Sequence, residues 1–198
     1  MANHRLTLFI LAVFFLAGIA TAKTTTAETP SSKFITSSCT NTTYPTLCIQ
    51  SLSPYAETIK HNPAQLAQVA LIVTLNHSES AGVFLHKLTE SKGLNSRERS
   101  AVGDCLEEVS DSLDRVKNSI GELKNVDRVK GREFILHMSN VQTWISSALT
   151  DENTCMDGFS GQEITGRVQS SVRAQIIDVA HFTSNALALI NHFVEKHS

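Results

Sequence analysis

The chain has 198 residues, a formal net charge of -2, 41% hydrophobic residues and 18% charged residues. This length suits one folded domain, and the apolar fraction is too high for a disordered chain. The basic residues are scattered and form no polybasic run, which excludes binding driven by contacts with nucleic-acid phosphates or anionic lipid. The composition therefore indicates a globular protein with an aliphatic core and no nucleic-acid partner.

The first 22 residues are predicted to be a secretory signal peptide. Arg5 lies in a short polar start, residues 6–19 are almost unbroken apolar sequence, and Ala20 and Ala22 place small residues at a cleavage site. A membrane anchor is the alternative, but an apolar run of about 14 residues is short for a bilayer span. We expect a secreted, extracellular protein with no membrane contact after cleavage.

The mature chain is expected to begin with a flexible lead over residues 23–33, which are rich in Thr, Ser and Ala. The folded domain then covers residues 34–198. We divide it into an N-terminal hairpin extension, residues 34–62, and a helical bundle, residues 63–198. Two N-x-[ST] sequons of this secreted domain predict N-linked glycans, at Asn41 and Asn76.

All four cysteines lie in the mature part of the chain, at Cys39, Cys48, Cys105 and Cys155. An even number of cysteines in a secreted protein favours two disulfides. A zinc site is the alternative, but there is no C-x-x-C and no His beside a cysteine, so no metal is expected. Loop closure favours a local bond between Cys39 and Cys48, which leaves Cys105 with Cys155, although spacing alone does not choose among three pairings.

Four long helical patterns follow a short cysteine-closed hairpin, over residues 63–89, 96–123, 132–150 and 164–195. Asn62 and Ser96 are the predicted caps of the first two helices, and residues 151–161 form a predicted turn. The second helix has apolar residues spaced alternately by four and three, which predicts one buried stripe: Val102, Leu106, Val109, Leu113, Val116, Ile120 and Leu123. The predicted fold is all-α, an up-down-up-down four-helix bundle.

No sequence motif predicts catalysis. The chain contains no G-x-S-x-G, P-loop, H-E-x-x-H or G-x-G-x-x-G motif. The last helix has histidines at His181, His192 and His197, but these spacings do not place two metal ligands one turn apart. We therefore expect that the protein is not an enzyme and uses neither a cofactor nor a metal.

The second predicted helix carries an acidic face. Glu107, Asp111 and Asp114 are spaced by four and three residues, so they share a face turned away from the middle of the apolar stripe. Asp104 and Glu108 add to this face. A solvated surface is the ordinary interpretation of such a pattern. A carboxylate-based hydrolase would need a concave site, whereas the outer face of a bundle helix is convex, so a binding face is more credible than an active site.

Three stretches carry more specific motifs. Residues 39–48 form a cysteine hairpin with Tyr44 and Pro45 between the cysteines, residues 101–113 surround the third cysteine, and residues 141–157 end at the fourth. Together they resemble the plant invertase and pectin methylesterase inhibitor family, and the resemblance extends over nearly the whole mature chain.

The resemblance implies a four-helix bundle preceded by a disulfide-closed helical hairpin, with the first cysteine bonded to the second and the third to the fourth. It implies a non-catalytic protein of the plant cell wall, or apoplast, that binds pectin methylesterase 1:1, covers its active-site cleft and so controls pectin de-esterification. The implied partner contacts lie on the second and third helices, at Glu107, Asp111, Asp114, Thr154 and Asp157.

Three alternatives remain at this point. Cell-wall or vacuolar acid invertase is another target of the family, but the Pro-Lys-Phe tripeptide common in invertase inhibitors is absent. A similar domain forms the pro-region of larger pectin methylesterases, and the chain ends at Ser198, soon after the fourth predicted helix. A ligand-binding bundle would need a cavity, whereas the heptad stripe predicts a filled core.

Overall fold

The computed structural model describes residues 29–124, 126–160, 164 and 166–197. The predicted signal peptide and the first part of the predicted lead lie outside the described residues. The α-helices are α1 (Pro30–Cys39), α2 (Pro45–Leu52), α3 (Ala56–Ile59), α4 (Pro63–Thr89), α5 (Ser96–Leu123), α6 (Gly131–Gly158) and α7 (Arg167–Glu195). Short 3-10 turns lie at Ser53–Tyr55 and Val126–Arg128. None of the described helices is long and apolar enough to cross a bilayer.

The four long helices form the bundle, and α1, α2 and α3 form the helical hairpin extension. Consecutive helices α4, α5, α6 and α7 pack side by side, and α7 also packs against α4. The Cys105–Cys155 disulfide joins α5 and α6 towards one end, and Glu122 contacts His137 at the other, so these two helices run antiparallel. The all-helical prediction is confirmed.

The start of α4 follows the prediction, and the start of α5 differs by one residue. The Asn62 side chain accepts a hydrogen bond from the Gln65 amide, and Pro63 occupies the first helical position. The cap of α5 is Asn95 and not Ser96, because Asn95 and Glu98 exchange side-chain and backbone hydrogen bonds in a capping box.

The third bundle helix is longer than predicted. Glycine spacing predicted a turn over residues 151–161, but α6 continues to Gly158. Its last two turns are held by tertiary contacts, since Asp151, Glu152 and Cys155 are all buried against neighbouring helices. Local propensity is a weak signal beside such burial, which explains the error. The fourth bundle helix begins at Arg167 and not at residue 164.

The hairpin extension is tied to α7. Its disulfide joins Cys39 to Cys48, the local pairing, with a Cα–Cα distance of 5.6 Å. The amide of Tyr44 donates to Asn185 Oδ1, Asn185 Nδ2 donates back to the Tyr44 carbonyl, and the Tyr44 ring stacks on His181 with centroids 3.7 Å apart. The extension also corrects the lead prediction, because residues 30–33 form the first turn of α1.

A polar layer divides the core into two apolar clusters. The larger cluster lies beneath the hairpin extension, and the smaller one surrounds the Cys105–Cys155 disulfide. On α4, α5 and α6 fully buried polar side chains separate the residues of the two clusters, at Thr74, Ser78, Ser112 and Glu152. On α7 the buried Thr183 lies next to Phe182, where the larger cluster begins. Buried polar groups require hydrogen-bond partners, so this layer constrains how the four helices align.

The connection between α4 and α5 is braced by one arginine. The Arg99 guanidinium donates to the Thr89 carbonyl at 2.6 Å and to the Ser91 carbonyl at 3.1 Å. A longer bond of 3.4 Å reaches the Leu94 carbonyl. One side chain therefore satisfies main-chain acceptors that the end of a helix leaves without intrahelical partners.

Candidate functional site

Only part of the predicted apolar stripe of α5 is buried. Val102, Val109, Val116 and Leu123 are buried, but the other three stripe residues, Leu106, Leu113 and Ile120, are only partly buried. Small residues spaced by seven, at Cys105, Ser112 and Ser119, are fully buried in their place. The buried face of α5 is therefore rotated towards α6, and the opposite surface of α5 carries the acidic residues.

The acidic face consists of Asp104, Glu107, Glu108, Asp111 and Asp114 of α5, together with Asp151 of α6. The three carboxylates predicted from the sequence, Glu107, Asp111 and Asp114, are all exposed. Glu108 is half-buried beside them, and the Asp151 side chain is only 10% exposed. Sequence spacing missed Asp151, because it belongs to a segment that was predicted to be a turn.

Close spacing changes the electrostatics of this face. Burial raises the pKa of Glu108, and the nearby charges of Asp151, Asp111 and Glu107 raise it further, while Arg115 acts in the opposite direction. Burial also raises the pKa of Asp151, against the hydrogen bond from Arg115 Nε to Asp151 Oδ2 at 2.6 Å. The face therefore favours a proton or a cationic group from a partner.

The exposed side of α6 is polar but nearly uncharged. Hydroxyl and amide side chains recur every three or four residues and form the hydroxyl stripe: Ser139, Gln142, Thr143, Ser146, Ser147, Thr150 and Thr154. Thr150 and Thr154 donate to the carbonyls four residues earlier, which holds these side chains against the helix. Only Thr154 of this stripe was singled out from the sequence, although the spacing was visible there.

The structure brings two of the predicted contacts, Glu107 and Asp111, near Asp151 of α6, since the charges of all three act on Glu108. Thr154 precedes Cys155, whose disulfide to Cys105 ties that turn of α6 to α5 at a Cα–Cα distance of 4.4 Å. Asp114 lies further along α5 and is 3.9 Å from Lys117. Asp157 is exposed near the end of α6, and the described contacts do not link it to the acidic face.

A buried carboxyl lies directly beneath this surface. Glu152 Oε1 accepts hydrogen bonds from Ser112 Oγ at 2.9 Å and Thr183 Oγ1 at 2.7 Å, which joins α5, α6 and α7. Its other oxygen, Oε2, is buried without a partner among the described residues. Burial raises the pKa of Glu152 to about 7, outweighing the two hydroxyl donors, with a further contribution from Asp151. This junction positions the helices that carry the acidic face and the hydroxyl stripe.

The remaining predicted positions are the two sequons. Asn41 is exposed in the turn between α1 and α2, and Asn76 is exposed in the middle of α4. Both stay predicted glycosylation sites. Within the described ranges, no group of three His, Cys, Asp or Glu residues is arranged to hold a metal ion.

Comparison with known proteins assigns the family. The family model described as plant invertase/pectin methylesterase inhibitor matches residues 33–189. The "21 kDa protein" of Daucus carota is 55% identical over 168 residues, which is 85% of this chain and 87% of that protein. "Pectinesterase inhibitor 11" of Arabidopsis thaliana is 45% identical over 196 residues, 98% and 97% of the two chains. "Pectinesterase inhibitor 9" of the same plant is 44% identical over 195 residues, 97% and 96% of the two chains.

Solved structures give the same fold. A crystal structure of a mutant form of a pectin methylesterase inhibitor from Arabidopsis matches with a TM-score of 0.62 at 20% identity, covering 77% of this chain and 92% of the other. A second inhibitor structure from Arabidopsis thaliana matches with a TM-score of 0.56 at 18% identity, covering 80% and 95%. With the family match and the near full-length relatives, the chain belongs to the plant invertase/pectin methylesterase inhibitor family.

Proposed function

We propose that this protein is a secreted, non-catalytic inhibitor that binds pectin methylesterase 1:1, covers its active-site cleft and thereby slows pectin de-esterification in the cell wall. The observation that carries the proposal is the identity of about 45% over nearly the full length with two proteins named as pectinesterase inhibitors. Relatives at this identity and coverage are expected to share the type of partner.

The outer surface of the α5–α6 pair is the proposed contact surface. It combines the acidic face with the hydroxyl stripe, and it includes Glu107, Asp111, Asp114, Thr154 and Asp157. The surface is a convex pair of helices joined by a disulfide and by the Arg115–Asp151 ion pair. A rigid convex surface fits a concave cleft with little loss of conformational freedom, and this favours occlusion of the cleft.

The target is tested by titrating the purified mature protein, residues 23–198, separately into a plant pectin methylesterase and an acid invertase. We expect esterase activity to fall linearly to an end point at about one inhibitor per enzyme, with invertase unaffected. Inhibition of invertase alone would overturn the choice of target. Turnover of pectin or sucrose by the protein itself would overturn the non-catalytic assignment.

The contact surface is tested with a bulky substitution. Thr154→Trp would place a large ring on the exposed hydroxyl stripe. It should weaken esterase binding at least tenfold, because the ring would keep α6 from fitting into the cleft. Thr58→Trp, at an exposed position of α3, is the matched control and should bind like the wild type. Equal affinity for both variants would place the contact elsewhere. Circular dichroism melting curves would verify that both variants fold.

The acidic face also predicts how binding depends on pH. If its carboxylates lie against carboxylates of the cleft, complex formation raises their pKa, so binding strengthens as pH falls and weakens as pH rises. The dissociation constant should therefore be lower at about pH 5 than at about pH 7.5, at equal salt, and Asp111→Asn should reduce the difference. Basic enzyme residues opposite the face would give the reverse dependence, and that result would reject shared protons.

A further inference from the structure

A groove opens between α4 and α5, on the side of α5 away from α6. It has a volume of about 550 Å³, and its apolar wall on α5 is formed by Leu106 and Leu113. Gly82 contributes no side chain, and a Cβ at this position would lie 3.8 Å from the Leu113 side chain, so the α4 backbone itself forms the opposite wall. Val83 stands at the edge with 54% of its surface exposed. Apolar side chains therefore line a surface that nothing in the described chain covers.

Opposite charges flank Val83 at equal distances. Glu79 precedes it by four residues and Lys87 follows it by four, so all three residues lie on neighbouring turns of one face of α4 and line the groove. Both charged side chains are exposed. In the part of the chain that the structure describes, neither has a salt-bridge partner, whereas neighbouring His86 lies 4.0 Å from Glu90.

We propose that a second copy of this chain covers the groove, with the two α4 helices packed antiparallel about a two-fold axis that passes beside Val83. In this arrangement Glu79 of each copy lies level with Lys87 of the other, about 6 Å along the helix from the axis on either side. The pairing forms two identical salt bridges, and it seats each Val83 in the groove of the other copy, over Gly82.

The symmetry of the charges is the reason for choosing a second copy as the occupant. A two-fold interface uses the same patch twice, so the patch must complement itself. An apolar residue at the centre with opposite charges equally spaced on either side satisfies this requirement, and an unrelated partner would not need equal spacing. The groove offers a smaller contact area than the roughly 800 Å² that each partner buries in a standard stable interface. The association is therefore weak and depends on concentration.

One predicted modification lies on the same stripe. Asn76 precedes Val83 by seven residues, or about two helical turns, so it would lie level with Glu90 of the second copy. A glycan on Asn76 would hold the two copies apart. The dimer is therefore expected for chains without a glycan at Asn76, and chains that carry one should remain monomeric.

The test is sedimentation equilibrium of the unglycosylated mature protein, at low salt and from about 10 to about 500 µM. We expect a reversible monomer–dimer equilibrium. Glu79→Lys and Lys87→Glu should each raise the dimer dissociation constant about tenfold, because each change creates two like-charge pairs. The double variant should recover the wild-type constant, since both salt bridges form again with their charges exchanged. A mixture of the two single variants should form a heterodimer more tightly than either forms a homodimer.

Apolar variants test the centre of the contact. Val83→Asp should abolish association, and Leu136→Asp, at a residue of α6 that is 60% exposed, should leave it unchanged. Thermal melting curves would show that both variants fold. A monomer at every concentration, a dimer that survives Val83→Asp, or failure of the double charge exchange to restore association would each overturn the proposal.

Discussion

The two sides of α5 are packed in opposite ways. Towards α6 it presents small and polar side chains, Cys105, Ser112 and Ser119. A disulfide, an ion pair and a buried carboxyl hold this contact between α5 and α6, which we call the α5–α6 seam. Towards α4 it presents two leucines, Leu106 and Leu113, which remain partly exposed in a groove. The distance between packed helices depends on the side chains at their contact, so the small residues allow the closer approach. Apolar content alone therefore does not indicate which seam is tight.

The largest expected effect comes from removing the covalent link of the tight seam. In Cys105→Ala/Cys155→Ala, loss of a disulfide that spans 50 residues should lower the free energy of unfolding by about 4 kcal/mol. The measurement is urea denaturation followed by circular dichroism. Cys39→Ala/Cys48→Ala is the matched control, and it should cost less because its loop spans only nine residues. Equal losses would contradict a stabilisation that grows with the length of the loop that each disulfide closes.

The next effect concerns the buried carboxyl of that seam. The pKa of Glu152 rises from 4.5 to about 7 on folding, so the folded state keeps a proton that the unfolded state loses. Stability from this group is therefore complete below about pH 4.5 and is lost as pH rises through about 7, by roughly 3 kcal/mol in all. Glu152→Gln should remove this part of the pH dependence, because an amide does not titrate in this range. The variant should still fold, since the amide oxygen accepts from Ser112 and Thr183.

The pH experiment compares unfolding free energies of wild type and Glu152→Gln between pH 4 and pH 8. Asp151→Asn is the control, since it removes the adjacent carboxylate but leaves Glu152 titratable. A wild-type curve that stays parallel to the Glu152→Gln curve across this range would show that Glu152 remains ionised in the fold.

The smallest effects compare neighbouring residues on the two sides of α5. Ser112→Leu should overfill the tight seam and remove a donor to Glu152, at a cost of about 2–3 kcal/mol. Leu113→Ala shortens a half-buried side chain at the groove and should cost about 1 kcal/mol. Urea midpoints of the two variants give the comparison. If Leu113→Ala proved the more damaging change, the groove would have to close in solution.

The sequence predicts where the long helices lie better than it predicts how they pack against one another. Asn62, Pro63 and the spacing of apolar residues define α4 and α5 closely, because caps and periodicity act locally. The end of α6 was missed, since residues 151–158 are helical through contacts with α5 and α7 that no local pattern reveals. The seven-residue spacing of Cys105, Ser112 and Ser119 was a usable signal for the tight seam, but small polar residues in a helix are usually assigned to the surface.

The candidate site shows the same division between local and tertiary information. The exposure of Glu107, Asp111 and Asp114 follows from helical spacing and was predicted. Glu108 and Asp151 meet only because α5 and α6 pack antiparallel, so their shared environment depends on the tertiary register. The role of Glu152 could not be predicted, because a glutamate in a helix is ordinarily solvated and its burial depends on Ser112 and Thr183 from two other helices.

The arginine brace at the α4–α5 connection has a consequence for sequence variation. Arg99 holds the turn through the carbonyls of Thr89, Ser91 and Leu94, and main-chain carbonyls are present whatever the side chains are. One guanidinium therefore ties the end of α4 to the start of α5 through contacts that lie outside the groove. Substitutions along the groove can alter what it binds while these main-chain contacts stay in place. Replacing Arg99 would leave the carbonyls of Thr89, Ser91 and Leu94 without this donor while every groove residue is still in place.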